Sequence, residues 1–166
     1  MKYQEKKYLV ESFSLILELL NKKRAIKGEE VINTHYYTFQ KSNDVVKLVE
    51  FADKNEIHIL KESQGKYTLT ENIPVSNLGE GLKWLKNKGY KSVSVVKMAY
   101  TDYDYKGGIV GLYLINDFLY SVILDFPDGM HEIMEKEFGL DKSKVINIPY
   151  NKLLEKMDRL STVPLG

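Results

Sequence analysis

The sequence predicts an α+β domain: a closed or nearly closed antiparallel eight-stranded β-barrel, a tunnel, with helices packed outside. Two observations lead there. Short runs rich in β-branched and aromatic residues are joined by tight turns, which favours antiparallel neighbours over crossover connections. These runs number about eight and only a few amphipathic helical stretches accompany them, a balance that suits sheet closure.

The first run, YQEKKYLV, is a strand with no clean apolar stripe. Alternation puts Tyr3, Glu5, Lys7 and Leu9 on one face and Gln4, Lys6, Tyr8 and Val10 on the other. SFSLILELLNKKR follows as a helix, with Phe13, Ile16, Leu17 and Leu20 at helical spacing and a basic end that suits a helix C-terminus. VINTHYYTF, NDVVKLVEF, IHILKES and YTLTENIPV read as strands separated by KSND, DKNE and QGK turns. SNLGEGLKWLKNKGY is a helix capped by Ser76 or Asn77 and stopped at Gly89. SVSVVKMAYTDY is a strand, and YTDYDYKGG reads as a solvated hairpin loop. YKGGIVGLYLI and FLYSVILDF form a hairpin about Asn116-Asp117, and GMHEIMEKEFG and NKLLEKMDRL close the chain as helices.

Composition bounds the function. A chain of 166 residues, 43 % hydrophobic and 28 % charged, is ordinary globular material and is expected to be a single domain over residues 1–166. A net charge of +1 gives no reason to expect nucleic acid as a partner. The absence of cysteine excludes disulfides, thiolate metal sites and a Cys nucleophile. No apolar run reaches the ~20 residues of a membrane span, and MKYQEKK lacks the apolar centre of a signal peptide, so a cytoplasmic protein with no membrane partner is expected. Only Arg24 and Arg159 supply guanidinium groups, so an anion site here is built mainly from lysine. His35, His58 and His131 show no zinc spacing.

Lysines recur in or beside apolar strand runs: Lys47 in VVKLV, Lys61 in HILKES, Lys97 in SVVKMAY, with Lys7 ending the charged part of the first strand. An isolated buried ammonium is costly, so such lysines either reach water near strand ends or line a wet interior. If the sheet closes with the lysines inward, that interior is basic and suits a polyanion such as polyphosphate. The face of Tyr3, Glu5 and Lys7 then points inward while Tyr8 and Val10 pack under helices.

At this point the chain resembles the CYTH domain proteins, also called triphosphate tunnel metalloenzymes, which include class IV adenylyl cyclases, thiamine triphosphatases and inorganic triphosphatases. Members open with Glu-x-Glu-x-Lys followed by Phe-Leu-Val; here Tyr3-x-Glu5-x-Lys7 precedes Tyr8-Leu9-Val10. THYYTF is similar to the family's second-strand element, VVKLV to its Leu-Arg-x-Arg, and Lys61 to a lysine ending its fourth strand. Leu82, Leu85 and Gly89 match its middle helix and Lys97-Met98-Ala99 its Lys-x-Arg. The likeness spans about residues 1–140, leaving about 149–166 as a C-terminal helical extension that closes the tunnel, packs outside it or pairs two copies as a homodimer.

The resemblance implies an eight-stranded tunnel holding Mg²⁺ or Mn²⁺ and a triphosphate. It implies Glu5, Glu71 and Asp125 as metal ligands and Glu5 and Lys7 as catalytic residues. Lys7, Lys47, Lys61, Lys97 and Tyr36 are implied as substrate contacts, the substrate being a nucleoside triphosphate, thiamine triphosphate or tripolyphosphate. The departures bear on mechanism. Tyr3 replaces the first glutamate, Val49 and Ala99 replace arginines, and YSVILDF offers Asp125 in place of a final Glu-x-Glu. Fewer acids weaken a hard-cation site, so two readings follow: a metal-dependent triphosphatase or cyclase, and a catalytically degenerate nucleotide or polyphosphate sensor or interaction module.

Overall fold

In the computed structural model, which describes residues 2–166, the chain divides into two compact units. Among the described residues the first comprises 2–31 and 98–147, the second 32–97 and 148–166. The elements run β1 (Tyr3–Val10), α1 (Ser14–Lys22), β2 (Ile26–Tyr37), β3 (Val45–Glu50), β4 (Asn55–Ser63), β5 (Lys66–Val75) and α2 (Leu78–Asn87). They continue β6 (Ser92–Tyr105), β7 (Gly108–Ile115), β8 (Leu119–Pro127), α3 (His131–Glu137), a 3₁₀ turn (Lys142–Lys144), β9 (Val145–Ile146), α4 (Tyr150–Lys156) and β10 (Ser161–Pro164). The hydrogen-bonded order is β5-β4-β3-β2-β6-β7-β8-β1-β9, with β10 on β6, and β2 and β6 each contribute residues to both units.

The class is α+β and the ladders are antiparallel, but of the expected closed or nearly closed eight-stranded barrel the closed form is corrected to an open strand order. The reason lies at β1. One edge of that strand pairs with β8, and the other, which closure would need, is taken at Lys7 and Tyr8 by β9. The sequence reading missed β9 because two residues carry no periodicity. The expected SVSVVKMAYTDY strand ends at Tyr103 and YTDYDYKGG is expected as a hairpin loop, whereas β6 continues through Tyr105 and the turn is confined to Lys106 and Gly107, both at positive φ. The tail after α4 is a strand on β6, with Val163 opposite Val93.

The first unit's core forms where β1, β6, β7 and β8 meet α1 and α3. Tyr8, Leu112, Leu124 and Phe126 on the sheet pack with Ile16 and Leu20 of α1 and Met134 and Phe138 of α3. The β7–β8 connection puts Asn116 at φ +50° and Asp117 at +62°, the left-handed pair that a two-residue hairpin requires. The second unit's core packs α2 on β3, β4 and β5 through Leu48, Ile57 and Leu85. Asn77 caps α2, its side-chain oxygen accepting from the Glu80 N–H at 2.9 Å, and Gly89 ends it at φ +100°.

Close approach of α2 to β3 depends on Gly81. A Cβ there would lie 2.5 Å from Cδ1 of the fully buried Leu48. Gly81→Ala gains about 1 kcal/mol of helix propensity but loses about 1–3 kcal/mol to overpacking. Chemical denaturation is expected to show net destabilisation, with partial recovery in Gly81→Ala/Leu48→Val.

Candidate functional site

In the first unit the site follows from strand register. Because Tyr8 belongs to the helix-packed core, Glu5 and Lys7 lie on the opposite face of β1. Glu5 stands directly opposite Asp125 of β8, which stands opposite Ile109 of β7, which stands opposite Asp104 of β6. One row on, Lys7 faces Ile123, then Gly111, then Asp102. Directly opposed side chains stand about 5 Å apart at Cβ. These rows therefore gather Glu5, Asp125, Asp102, Asp104 and Lys7 on one face of one sheet.

Gly111 makes room for part of this cluster. A Cβ on it would come within 2.8 Å of Asp102 Oδ1 and 2.7 Å of the Tyr113 ring. Tyr113 stacks on Tyr100 at 4.5 Å and 6° between ring planes.

The electrostatics are those of crowded acids. Burial raises the Asp102 carboxyl above its ordinary range, and the charges of Asp125 and Asp104 push the same way. Burial also raises Asp125, against an opposing pull from His131. Lys7 is half-buried, and desolvation lowers its ammonium to about 8, with Glu5 partly offsetting the drop. Like-charged carboxylates that resist ionisation are a place where a proton or a cation is welcome.

The fit to a metal is partial. Glu5 and Asp125 oppose each other in register, but among the described residues no group of three or more His, Cys, Asp or Glu could hold an ion. Mg²⁺ is commonly held by one or two carboxylates together with substrate phosphates, and the pair suits that arrangement better than an all-protein cage. Glu71, the third implied ligand, belongs to the second unit, where it is exposed opposite Ile59 beside a register shift.

The second unit separates the other implied residues. Tyr36 packs with the α2 core and donates its hydroxyl to Glu50 Oε1 at 3.3 Å. Lys61 lies by alternation on the side of Ile57 and Ile59, which pack in that same core, and its exposed ammonium meets Asp44 Oδ2 at 3.4 Å. Lys97 falls by alternation with Val93 and Val95, and Val93 is a core residue of the second unit. Lys47 is on the opposite face from Leu48, paired across to Tyr37 and His58, with its Nζ 5.1 Å from the Tyr37 ring centroid. Lys47 and Lys61 thus occupy different faces of their sheet.

Two features were missed from sequence. Asp102 stands in both the SVSVVKMAYTDY strand and the YTDYDYKGG loop of the sequence analysis and has no role in either, although its alternation with Asp104 within an aromatic run is a strand signal. Tyr36 was chosen from THYYTF, whereas it is the odd-numbered residues Asn33, His35 and Tyr37 that share Lys47's face. His35 stacks on Tyr37 at 5.9 Å and 20°. His58 Nε2 meets Glu56 Oε1 at 3.3 Å on the neighbouring strand.

No protein-family model matches the chain, and no curated protein matches it. Solved structures do. The PH1012 protein of Pyrococcus horikoshii OT3 superposes with a TM-score of 0.77 at 15 % identity, over 90 % of this chain and 97 % of that one. A candidate adenylate cyclase from Vibrio parahaemolyticus gives 0.70 at 12 % identity, over 92 % and 97 %. HpAC1 from Hippeastrum, a candidate adenylyl cyclase with a dominant triphosphatase activity, gives 0.56 at 12 % identity, over 99 % of each chain. At such identities the likeness is one of fold.

Proposed function

We propose that the protein binds a triphosphate-bearing small molecule together with Mg²⁺ or Mn²⁺ at the polar face of its first unit. The supporting observation is the register pairing of Glu5 with Asp125 on the face turned away from the helix core, with Lys7 one row on. Fold-level neighbours that include a triphosphatase agree with it.

Charge decides the order of events. Four carboxylates and one ammonium repel a polyanion, so phosphate binding here requires a cation to bridge the two. Glu5 and Asp125 would hold it; bound there, the metal would neutralise and polarise phosphate oxygens. Lys7 supplies a point charge to a phosphate oxygen. Burial, and then its acidic neighbours, raise the Asp102 carboxyl, which makes it the group here that takes up a proton at a carboxyl oxygen more readily than an ordinary aspartate. Lys47, Lys61 and Lys97 belong to the second unit and are proposed only as anion contacts of that unit, where Lys47 shares its face with the His35–Tyr37 ring pair.

Hydrolysis and cyclisation of a triphosphate depend mainly on positioning and charge neutralisation, and this site has the groups for both. A second reading, binding without turnover, is favoured by one observation: no three metal-binding side chains converge among the described residues. Beyond this, no helix among the described residues is long and apolar enough to cross a membrane.

The readings separate in one assay. The protein is incubated with tripolyphosphate, ATP or thiamine triphosphate and Mg²⁺ or Mn²⁺, and phosphate, pyrophosphate and cyclic AMP are measured. Turnover that falls by about 10²-fold or more in Glu5→Gln supports the enzyme; thermal stabilisation without turnover supports the sensor. Chelation with EDTA is expected to abolish triphosphate-induced stabilisation in either case, and stabilisation that survives chelation refutes the metal bridge.

Acidity supplies an independent check. Lys7 carries its proton up to about pH 8 in the folded protein, so between about pH 7 and about pH 9 the site loses a positive charge. Triphosphate affinity measured by calorimetry is expected to fall across that window, and to stay flatter in Lys7→Arg, which does not deprotonate there. The same depressed value makes folding stability rise with pH from about 8 to the unfolded value of 10.5, because the unfolded chain holds the extra proton.

A further inference from the structure

Two polar side chains in succession on the part of β2 that belongs to the second unit are deeply buried. Asn33 is 4 % exposed and His35 9 %. Asn33 Oδ1 and His35 Nδ1 are closed off from solvent with no hydrogen-bond partner among the described residues. Such atoms are rare in folded proteins, and each recovers its hydration when the strand opens to water. This stretch of β2 therefore opens at less cost than one whose polar groups are all satisfied.

His35 titrates near neutrality, and its surroundings decide what a proton does there. From β3, Lys47 stands opposite Tyr37, with its Nζ 5.1 Å from the ring on which His35 stacks. From β4, His58 stands opposite Lys47. Glu56 of β4 lies in the row of His35, but Val49 stands between them, which puts the two strands roughly 10 Å apart. That carboxylate already meets His58 Nε2 at 3.3 Å and the Lys54 ammonium at 3.7 Å. From β6, the neighbour of β2 in the sheet, this unit has Lys97, which falls by alternation with Val93 on the α2 side. Tyr37 and the tyrosines that act on its hydroxyl, Tyr67 and Tyr150, carry no charge in acid.

A proton on His35 thus places a cation in a closed site beside an ammonium, while the carboxylate of the face is held by other partners. Burial, and then Lys47 and His58, keep the His35 imidazole well below its ordinary value of 6.5, so it is neutral at pH 7. Burial lowers His58 too, but Glu56 pulls the other way, and a charged His58 has its acceptor in place.

We propose that the second unit is an acid-sensitive switch: a proton taken by His35 charges a buried ring beside the Lys47 ammonium, and the β2–β3 ladder opens to bring that ring and Asn33 to water. The switch does not depend on the function proposed above, and neither ligand nor metal enters its test. The sign follows from linkage. The opened chain binds the proton that the closed one refuses, so the closed form keeps its full stability above about pH 6.5 and loses it as pH falls below that value. Each such proton raises the opened population by up to about tenfold per pH unit.

The test follows amide hydrogen exchange of the full chain from about pH 7.5 to about pH 5, corrected for the intrinsic pH dependence of exchange. Peptides of β2 and β3 in wild type are expected to lose protection by up to about tenfold or more per pH unit below about 6.5. His35→Phe, which keeps a ring and cannot titrate, is expected to be about tenfold better protected than wild type near pH 5.5, relative to their ratio at about pH 7.5. His58→Gln is expected to keep the share that belongs to His35. If His35→Phe does not fold, His35→Gln and the ring signals of His35 in isotopically labelled wild type decide, and protonation that coincides with loss of β2–β3 protection supports the switch. Protection that stays flat to about pH 5 overturns it. An acid dependence unchanged in the His35 variants does the same, as does a His35 ring that takes its proton while β2 and β3 stay protected.

Discussion

The placement of Tyr8 in the core governs the candidate site. Its ring is fully buried with Ile16, Leu20, Met134 and Phe138, and a strand has a side-chain period of two. Once Tyr8 points to the helices, Glu5 and Lys7 must point the other way. A register slip of one residue would bury both charges under α1 and α3 and expose Tyr8. The desolvation of two charges and the loss of a buried aromatic both oppose that slip, so the apolar core fixes where the polar chemistry sits. Lys6 shows how the helix side handles its own charge: its ammonium reaches the buried Glu135 at 3.6 Å.

From that register the rest follows across the sheet. Antiparallel pairing carries the polar face from β1 through β8 and β7 to β6, and collects acids that are distant in sequence. Glu5 and Asp125 are brought opposite each other by one ladder, and Asp102 joins through two more. Gly111 matters because a side chain there would meet the Asp102 carboxyl. Burial, and then crowding by Asp125 and Asp104, raises Asp102, and burial raises Asp125. The same face is thereby poor at holding bare negative charge and good at accepting a cation. A phosphate chain and a carboxylate cluster then become compatible only as partners of one ion.

The order of strands and helices was legible because each run carries its period and its turn residues: Asn77 as a cap, Gly89 as a stop, Asn116-Asp117 as a hairpin. The closed barrel was not legible. Whether the free edge of β1 pairs with a distant strand or with β9 is decided by a two-residue ladder that leaves no pattern in composition. The resemblance at the first strand and the last points to Glu5, Lys7 and Asp125, and register brings Glu5 and Asp125 opposite each other with Lys7 one row on. Tyr36 was chosen because its neighbours look alike; in THYYTF every position is plausible for a strand, and only contact with α2 assigns odd and even residues to their faces. Lys61 shares an apolar run with Ile57 and Ile59, and sharing their face took it toward the helix side, where its long stem lets the ammonium reach Asp44 and water.

The scarcity of arginine changes what the site can do. A guanidinium stays charged at any depth, so a face lined with arginines keeps a constant appetite for anions. Lysine pays desolvation by giving up its proton, and Lys7 is already shifted far enough for that to happen within the pH range of ordinary solution. Its charge is sustained by Glu5, two residues away on the same face. On the proposed reading Glu5 would be drawn in two directions, toward a metal and toward the ammonium that the ligand also needs. A cation that took the Glu5 carboxylate would weaken its support of Lys7, and an arriving phosphate would restore it. Metal and anion would then each be stabilised by the other's presence, and a face with one lysine and several acids would engage such a ligand as a metal–phosphate pair.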